Sequence, residues 1–364
     1  MKEQSIPFLL MRGGTSRGPY FLRDDLPSDQ NELSKILVSV IGAGHPLNID
    51  GIGGGNAVTT KVAMLSRSND DWADVDYFFA QVSVLEAAVD YRPTCGNILA
   101  GVGPAAIEMG LVDPVSNVTE IKIRAVNTGA RIIAKIQTPN QRLSYFGDEI
   151  IDGVPGSSAP IELLFLDVAG SSTGQLFPSG NLIDLIDDIE VTCMDLAMPM
   201  VIAKAQSFGL TGHESCEELD NNQDFFAQME HIRLKASVLM GMGDASRSVT
   251  PKFGLLSESE QTGHIVCRYF MPWQTHPSLA VTGSQCLASC ALTPGTIADG
   301  MMKAPDQKPS IITLHHPMGT MDVIVDYSIG HDGEFIHHSA GLKRTARKLA
   351  SGQVFPHPMQ YRNR

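Results

Sequence analysis

The sequence predicts an α+β protein of two pseudo-symmetric domains, each a curved, mostly antiparallel sheet around a central helix. Three observations predict it. Several segments recur at an offset of about 190 residues. Strand patterns outnumber helix patterns in both halves. One small-residue-rich helix in each half is apolar nearly all round, which places it inside the protein rather than on its surface.

The elements follow in chain order. Pro7 to Met11 is too short for the core of a signal peptide and runs into Arg12 and two glycines, so it reads as a strand. Asp29 with Glu32 caps a helix over ELSKILVSVIG. GIGGGNAVTTKVAMLSRS (51–68) then matches GMGDASRSVTPKFGLLSE (241–258) with one inserted residue, which sets Lys61 opposite Lys252. TCGNILAG (94–101) matches VTGSQCLAS (281–289), with Cys95 opposite Thr282, and these segments open the central helices expected over 96–110 and 283–292. IKIRAVNTGARIIAKIQT (121–138) matches IITLHHPMGTMDVIVDYS (311–328), two strands around Gly129 or Gly319. MRGGTSRGPYFL (11–22) has a looser partner in MDLAMPMVIAK (194–204), and the second half gains its own helix over 223–241. The Gly-, Ser- and Pro-rich run from Gly170 to Asn181 sets the expected domains at 1–183 and 184–364, with a ligand cleft between them.

Composition narrows the function classes. A net charge of -13 argues against nucleic acid and anionic membrane surfaces as partners, while leaving a small anionic substrate open. No apolar run reaches a membrane span, and the protein is expected in the cytoplasm. The six cysteines form no C-x-x-C pair, and the eleven histidines form no H-E-x-x-H pattern, so no metal site is expected. An acidic surface is compatible with a homodimer.

Chemistry concentrates in a few places. Cys95 stands at a Pro-bounded junction of loop and helix, where peptide dipoles favour a thiolate, with Gly96 and Asn97 offering amides to an anion. The alternative is a buried thiol that acts as a small hydrophobe. Lys61 follows the glycine-rich loop containing Gly54 and Asn56; partial desolvation suits it to act as a base, and a solvated strand-edge lysine is the other reading. The loop completes neither a Walker motif nor G-x-G-x-x-G. Arg12, Thr15 and Ser16 suit a carboxylate or simply make a hairpin turn. Thr282, Gly283 and Ser284 open the second central helix; Ser179 and His276 are further candidate substrate ligands.

These motifs, MRGGTSRG (11–18), DGIGGGNAVTTKVA (50–63), CGNILAGVGPAAIE (95–108), DGVPG (152–156), FPSGN (177–181), HPSLAVTGS (276–284) and LKRTARKL (342–349), resemble the PrpF family across essentially the whole chain. That family is similar in fold to diaminopimelate epimerase. The resemblance implies a cofactor-independent isomerase or tautomerase of a small unsaturated polycarboxylate. It also implies that Lys61 and Cys95, which match the lysine and cysteine characteristic of the family, are the acid–base pair; Thr282 stands where the epimerases carry a second cysteine, so a two-cysteine racemase mechanism is not expected. The connection at 43–50 and the forms of the first and third motifs are closest to the 4-oxalomesaconate tautomerase branch. Isomerisation of 2-methylaconitate or aconitate, or a non-catalytic polycarboxylate-binding role, are the alternatives.

Overall fold

The computed structural model describes residues 5–271 and 273–357. Its strands and helices, in order, are β1 (Ile6–Gly13), β2 (Ser16–Leu22), α1 (Gln30–Ile41), β3 (Lys61–Arg67), β4 (Val75–Val82), β5 (Val89–Asp90), α2 (Gly96–Leu99), α3 (Val102–Glu108), β6 (Val118–Ala125), β7 (Arg131–Gln137) and β8 (Ile161–Leu166). There follow β9 (Asp184–Ile186), β10 (Ile189–Asp195), β11 (Pro199–Lys204), α4 (Cys216–Asp220), α5 (Gln223–Leu239), β12 (Lys252–Ser257), β13 (His264–Phe270), α6 (Val281–Leu292), β14 (Ser310–His316), β15 (Gly319–Ile329), β16 (Phe335–Arg344) and β17 (Ala346–Val354). No helix among the described residues is long and apolar enough to cross a membrane.

The chain forms two compact units, Met1–Leu163 with Lys343–Arg364, and Leu164–Leu342. These bounds differ from the division expected at 183/184. The Gly-rich run after 169 is held to β10, with Gly170 donating to Asp195 O at 2.7 Å and the Asp195 carboxylate accepting from Ser172 and Thr173. At the other end β17 pairs antiparallel with β1 along its length, which returns the C-terminal strand to the first unit.

Pairing within each unit follows one rule, as the repeated segments predict. In the first, β1–β2 is antiparallel, β2–β3 parallel, β3–β4 antiparallel, β4–β6 parallel and β6–β7 antiparallel. In the second, β10–β11, β11–β12, β12–β13, β13–β14 and β14–β15 repeat that alternation. A helix crosses each first parallel step, α1 or α5, and a central helix crosses the second.

Burial explains why these segments fold this way. Asp29 caps α1 by accepting from the amides of Asn31 and Glu32. Leu33, Leu37 and Ile41 of α1 then bury against Phe21, Val62 and Met64, on one face of the sheet. Each such side chain stabilises by about 1.5–3 kcal/mol. The opposite face holds α2 and α3, which pack on β1, β2, β3 and β7. The second unit repeats the arrangement, with α5 over Val201, Phe253 and Phe270 and α6 over Met194, Ile202 and Leu314.

One expected helix divides. The segment 96–110 forms two short pieces, α2 and α3, instead of one. Ile98 O accepts from Tyr20 Oη and from the Gly101 amide, and Pro104 has no N–H to offer Ala100 O.

Close backbone approach fixes the strands beside α2. A Cβ at Gly18 would lie 1.7 Å from Lys61 O, so β2 and β3 pass at a distance only glycine permits. Gly18→Ala is therefore expected to cost at least about 2 kcal/mol. Urea midpoints of the two proteins check this, and an unchanged midpoint would contradict the geometry.

Candidate active site

Lys61 opens β3 and Cys95 is the residue before α2, and the fold brings the two together. Lys61 Nζ donates to Cys95 Sγ at 3.3 Å. Both residues are partly buried, so the pair is neither sealed in the core nor fully hydrated. Register explains the meeting. Lys61, Ala63 and the facing Phe79 project to the side of the sheet that holds α2, and the Lys61 ammonium lies 5.7 Å from the Phe79 ring centroid. Beneath the thiol, Tyr77 Oη donates to Cys95 O at 3.4 Å. Burial raises the Tyr77 hydroxyl well above its ordinary range, with a smaller contribution from Cys95, so it stays a neutral donor.

The β1–β2 turn closes one side of this site. Gly14 has φ +50, and a Cβ there would lie 2.2 Å from Asn97 Oδ1. Asn97 Nδ2 donates to Thr15 Oγ1 at 3.1 Å, and Asn97 Oδ1 accepts from the Thr15 amide at 3.4 Å. Ser16 shares the α2 side of the sheet with Gly18, and its hydroxyl is buried without a partner among the described residues. The amides of Gly96 and Asn97 stand in the first turn of α2, where intrahelical acceptors are lacking. A donor-rich wall of this kind suits an anionic ligand.

Not every expected ligand is free to bind. Arg12 Nη1 donates to Gly14 O, Thr345 O and Thr345 Oγ1 at 2.9–3.0 Å, so much of its guanidinium braces the turn. Gly54 packs against Thr59 and the Arg17 guanidinium, while the Asn56 side chain accepts from the Val58 amide and caps a short turn over Ala57–Thr59. Two residues that the spacing left unmarked hold the loop. Buried Asn48 donates to Gly42 O and accepts from the Gly55 amide at 2.8 Å, and Gln81 donates to Ala57 O and Thr60 Oγ1. A lone Asn and a lone Gln carry no motif, so nothing in the sequence marked them.

The second unit keeps its own candidates. Thr282 and Gly283 stand in the first turn of α6, where a Cβ on Gly283 would meet the Tyr269 ring at 2.2 Å. Ser284 is satisfied within that turn, its hydroxyl donating to Val281 O and its amide to Ala280 O. His276 Nδ1 accepts from the Ser278 amide at 2.9 Å, and burial lowers the affinity of its ring for a second proton. The Ser179 hydroxyl exchanges bonds with the backbone of Asn181. In the repeat Lys252 is the counterpart of Lys61, and Thr282 is the counterpart of Cys95. No cluster of three or more His, Cys, Asp or Glu among the described residues is arranged to hold a metal ion.

An amine against a thiol on an amide-lined wall has the groups that proton transfer requires. The family described as PrpF protein matches residues 3–357. YbhH of Escherichia coli (strain K12), whose name assigns an isomerase only provisionally, is 47% identical over 97% of this chain and 99% of its own. The 4-oxalomesaconate tautomerase of Pseudomonas putida (strain KT2440) is 42% identical over 97% of each chain. The crystal structure of methylitaconate-delta-isomerase superposes with a TM-score of 0.89 at 33% identity, covering 97% of this chain and 96% of that one. The chain belongs to the PrpF family, and it is an isomerase.

The thiols differ in surroundings. Cys193, Cys267, Cys286 and Cys290 are buried, and burial pushes all four up, Cys267 and Cys290 to about 12; Cys216 is raised as well. Iodoacetamide near neutral pH is expected to label Cys95 before the other five, as read by peptide mass mapping. Labelling of Cys216 at the same rate or faster would contradict a special environment at Cys95.

Proposed function

We propose that the protein moves a proton, and with it a double bond, on a small unsaturated polycarboxylate, with Lys61 and Cys95 as the acid–base pair. The observation that carries this reading is the 3.3 Å contact between Lys61 Nζ and Cys95 Sγ. In the forward direction the Lys61 amine takes a proton from the carbon next to a carbonyl or a vinylogous acid. The electron pair of that C–H bond spreads into a dienolate, and Cys95 returns a proton to carbon or oxygen at the other end of the conjugated system. The reverse reaction exchanges the two roles. Positioned groups of this kind typically contribute about 10²–10⁴-fold. The amides of Gly96 and Asn97 and the hydroxyls of Thr15 and Ser16 hold carboxylates and stabilise the charge that develops on the enolate. No electron changes hands in this sequence, so it needs no redox cofactor.

The substrate we favour is 4-oxalomesaconate, converted between keto and enol forms. Two relatives named for oxalomesaconate, from Pseudomonas putida and Novosphingobium sp. (strain KA1), are each 42% identical to this chain. The relatives named 3-methylitaconate isomerase and 2-methyl-aconitate isomerase stand lower, at 34% and 30%.

The test is proton exchange. Wild-type protein in deuterated water is expected to place deuterium into oxalomesaconate faster than into 2-methylaconitate or methylitaconate, as followed by NMR. Cys95→Ser and Lys61→Ala are each expected to lower exchange at least about 100-fold while shifting the melting temperature little. Near-normal exchange in both variants refutes the pair, and preference for another alkene refutes the substrate alone.

A further inference from the structure

Arg347 of β17, Arg12 of β1 and Arg17 of β2 form one row. Arg12 is directly opposite Arg347 in the β1–β17 pairing and directly opposite Arg17 in the β1–β2 pairing. Directly opposed residues share a face, so all three side chains leave the same side of the sheet. It is the side of Phe21 and α1, whereas Lys61 and Cys95 occupy the other.

Like charges set directly opposite one another are destabilising. This chain has 40 Asp and Glu against 27 Lys and Arg, so acidic partners are plentiful. Even so, no acidic side chain among the described residues pairs with Arg12, Arg17 or Arg347. Burial, and after it the charge of Arg347, weaken the hold of Arg12 on its proton. The bonds of Arg12 all go to neutral oxygens, on Gly14, Thr345 and, at 3.4 Å, Ser158.

The row borders a space of the right kind. A pocket of ≈ 220 Å³ is lined by Arg12, Thr15, Ser16, Arg17, Thr59, the turn 153–155 and Leu349, with Arg347 beside Arg12 in the strand pairing rather than in the lining itself. Gly54 carries no side chain where one would collide with the Arg17 guanidinium, the Cβ position lying 2.7 Å from Nη2. The volume falls below the roughly 300–1,000 Å³ of a drug-sized site, which limits the occupant to a small molecule. Guanidinium groups present planar forks that match carboxylate and phosphate oxygens. Neighbouring Cβ atoms in such a row stand about 4.5–5.5 Å apart, which suits a ligand carrying more than one anionic group.

We propose that the Arg347–Arg12–Arg17 row is a second anion site, on the face of the sheet away from Lys61 and Cys95, and that it takes a small polyanion. The shared chemistry is clustered anionic oxygens, from a polycarboxylate or from phosphate. Thr15 belongs to both sites, since it lines this pocket and is bound to Asn97 on α2, and Ser16 next to it lines the pocket as well. The turn it occupies therefore links anion binding on one face to the first turn of α2 on the other.

The test uses the full-length protein and measures binding rather than turnover, so it stands apart from the proposed reaction. Isothermal titration with citrate and with inorganic phosphate is run on wild type, on the double variant Arg17→Gln/Arg347→Gln, and on Lys61→Ala. The double variant is expected to lose at least about tenfold in affinity for the tighter of the two anions, while Lys61→Ala keeps an Arg-dependent site. A tighter grip on citrate assigns a polycarboxylate, and a tighter grip on phosphate assigns a phosphate. In anion-poor buffer the double variant is expected to melt no lower than wild type, because a repulsion has been removed. Adding the anion is then expected to raise the melting temperature of wild type but not of the variant. Undiminished affinity in the double variant, or loss of all anion binding in Lys61→Ala, would overturn the proposal.

Discussion

The contact between Lys61 and Cys95 is the constraint around which the first unit is arranged. Two residues 34 positions apart meet only if β3 lies beside β2 and α2 begins over the same face. Gly18 lets β2 pass tight against the Lys61 carbonyl, and Gly14 lets the turn fit under Asn97. Tyr20 sits below, donating to Ile98 O and ending α2 after one turn. Enlarging any of these positions displaces one member of the pair. Each of these partly buried groups has the other as a hydrogen-bond partner.

The two units illustrate how a duplicated scaffold diverges in chemistry while keeping topology. The alternation of antiparallel and parallel pairings is the same in both. Their loops are pinned differently. Asn48 gathers the carbonyls and amides of the glycine-rich loop before Lys61, whereas the fully buried Arg233 binds Ala245 O, Ser248 O and Pro251 O before Lys252. An arginine with Glu230 on one edge and carbonyls on the other is satisfied in the core and holds its loop still. With threonine in place of the thiol, the second unit retains the frame without the lysine–cysteine pair.

Much of this was legible in the sequence, and the reasons are physical. A capping residue marked α1, helical spacing of apolar residues marked α5, and a small-residue run apolar nearly all round marked α6, because satisfying the first amides and burying apolar surface leave a local trace. The repeat marked the topology, since homologous segments fold alike. Lys61 and Cys95 stood out because each sits where a loop hands over to an element. Other features left no such trace. The bounds of the two units depend on β17 returning to β1, a long-range pairing that no local pattern reports. The interruption between α2 and α3 depends on Tyr20, which lies 78 positions from the carbonyl it occupies. The commitment of Arg12 to Gly14 and Thr345 likewise depends on a residue 333 positions away, between β16 and β17. Asn48 and the arginine row become meaningful only once neighbouring strands are in register.

The claim that bears most weight is that Lys61 and Cys95 act as one unit on one proton path. A double-mutant cycle measures this directly. Turnover is compared for wild type, Lys61→Ala, Cys95→Ala and the variant carrying both. The account predicts that the double variant is about as slow as the slower single one, because removing either partner already disables the unit. Losses that multiply, so that the double variant is slower by the product of the two single effects, would mean that the residues act independently and would contradict it.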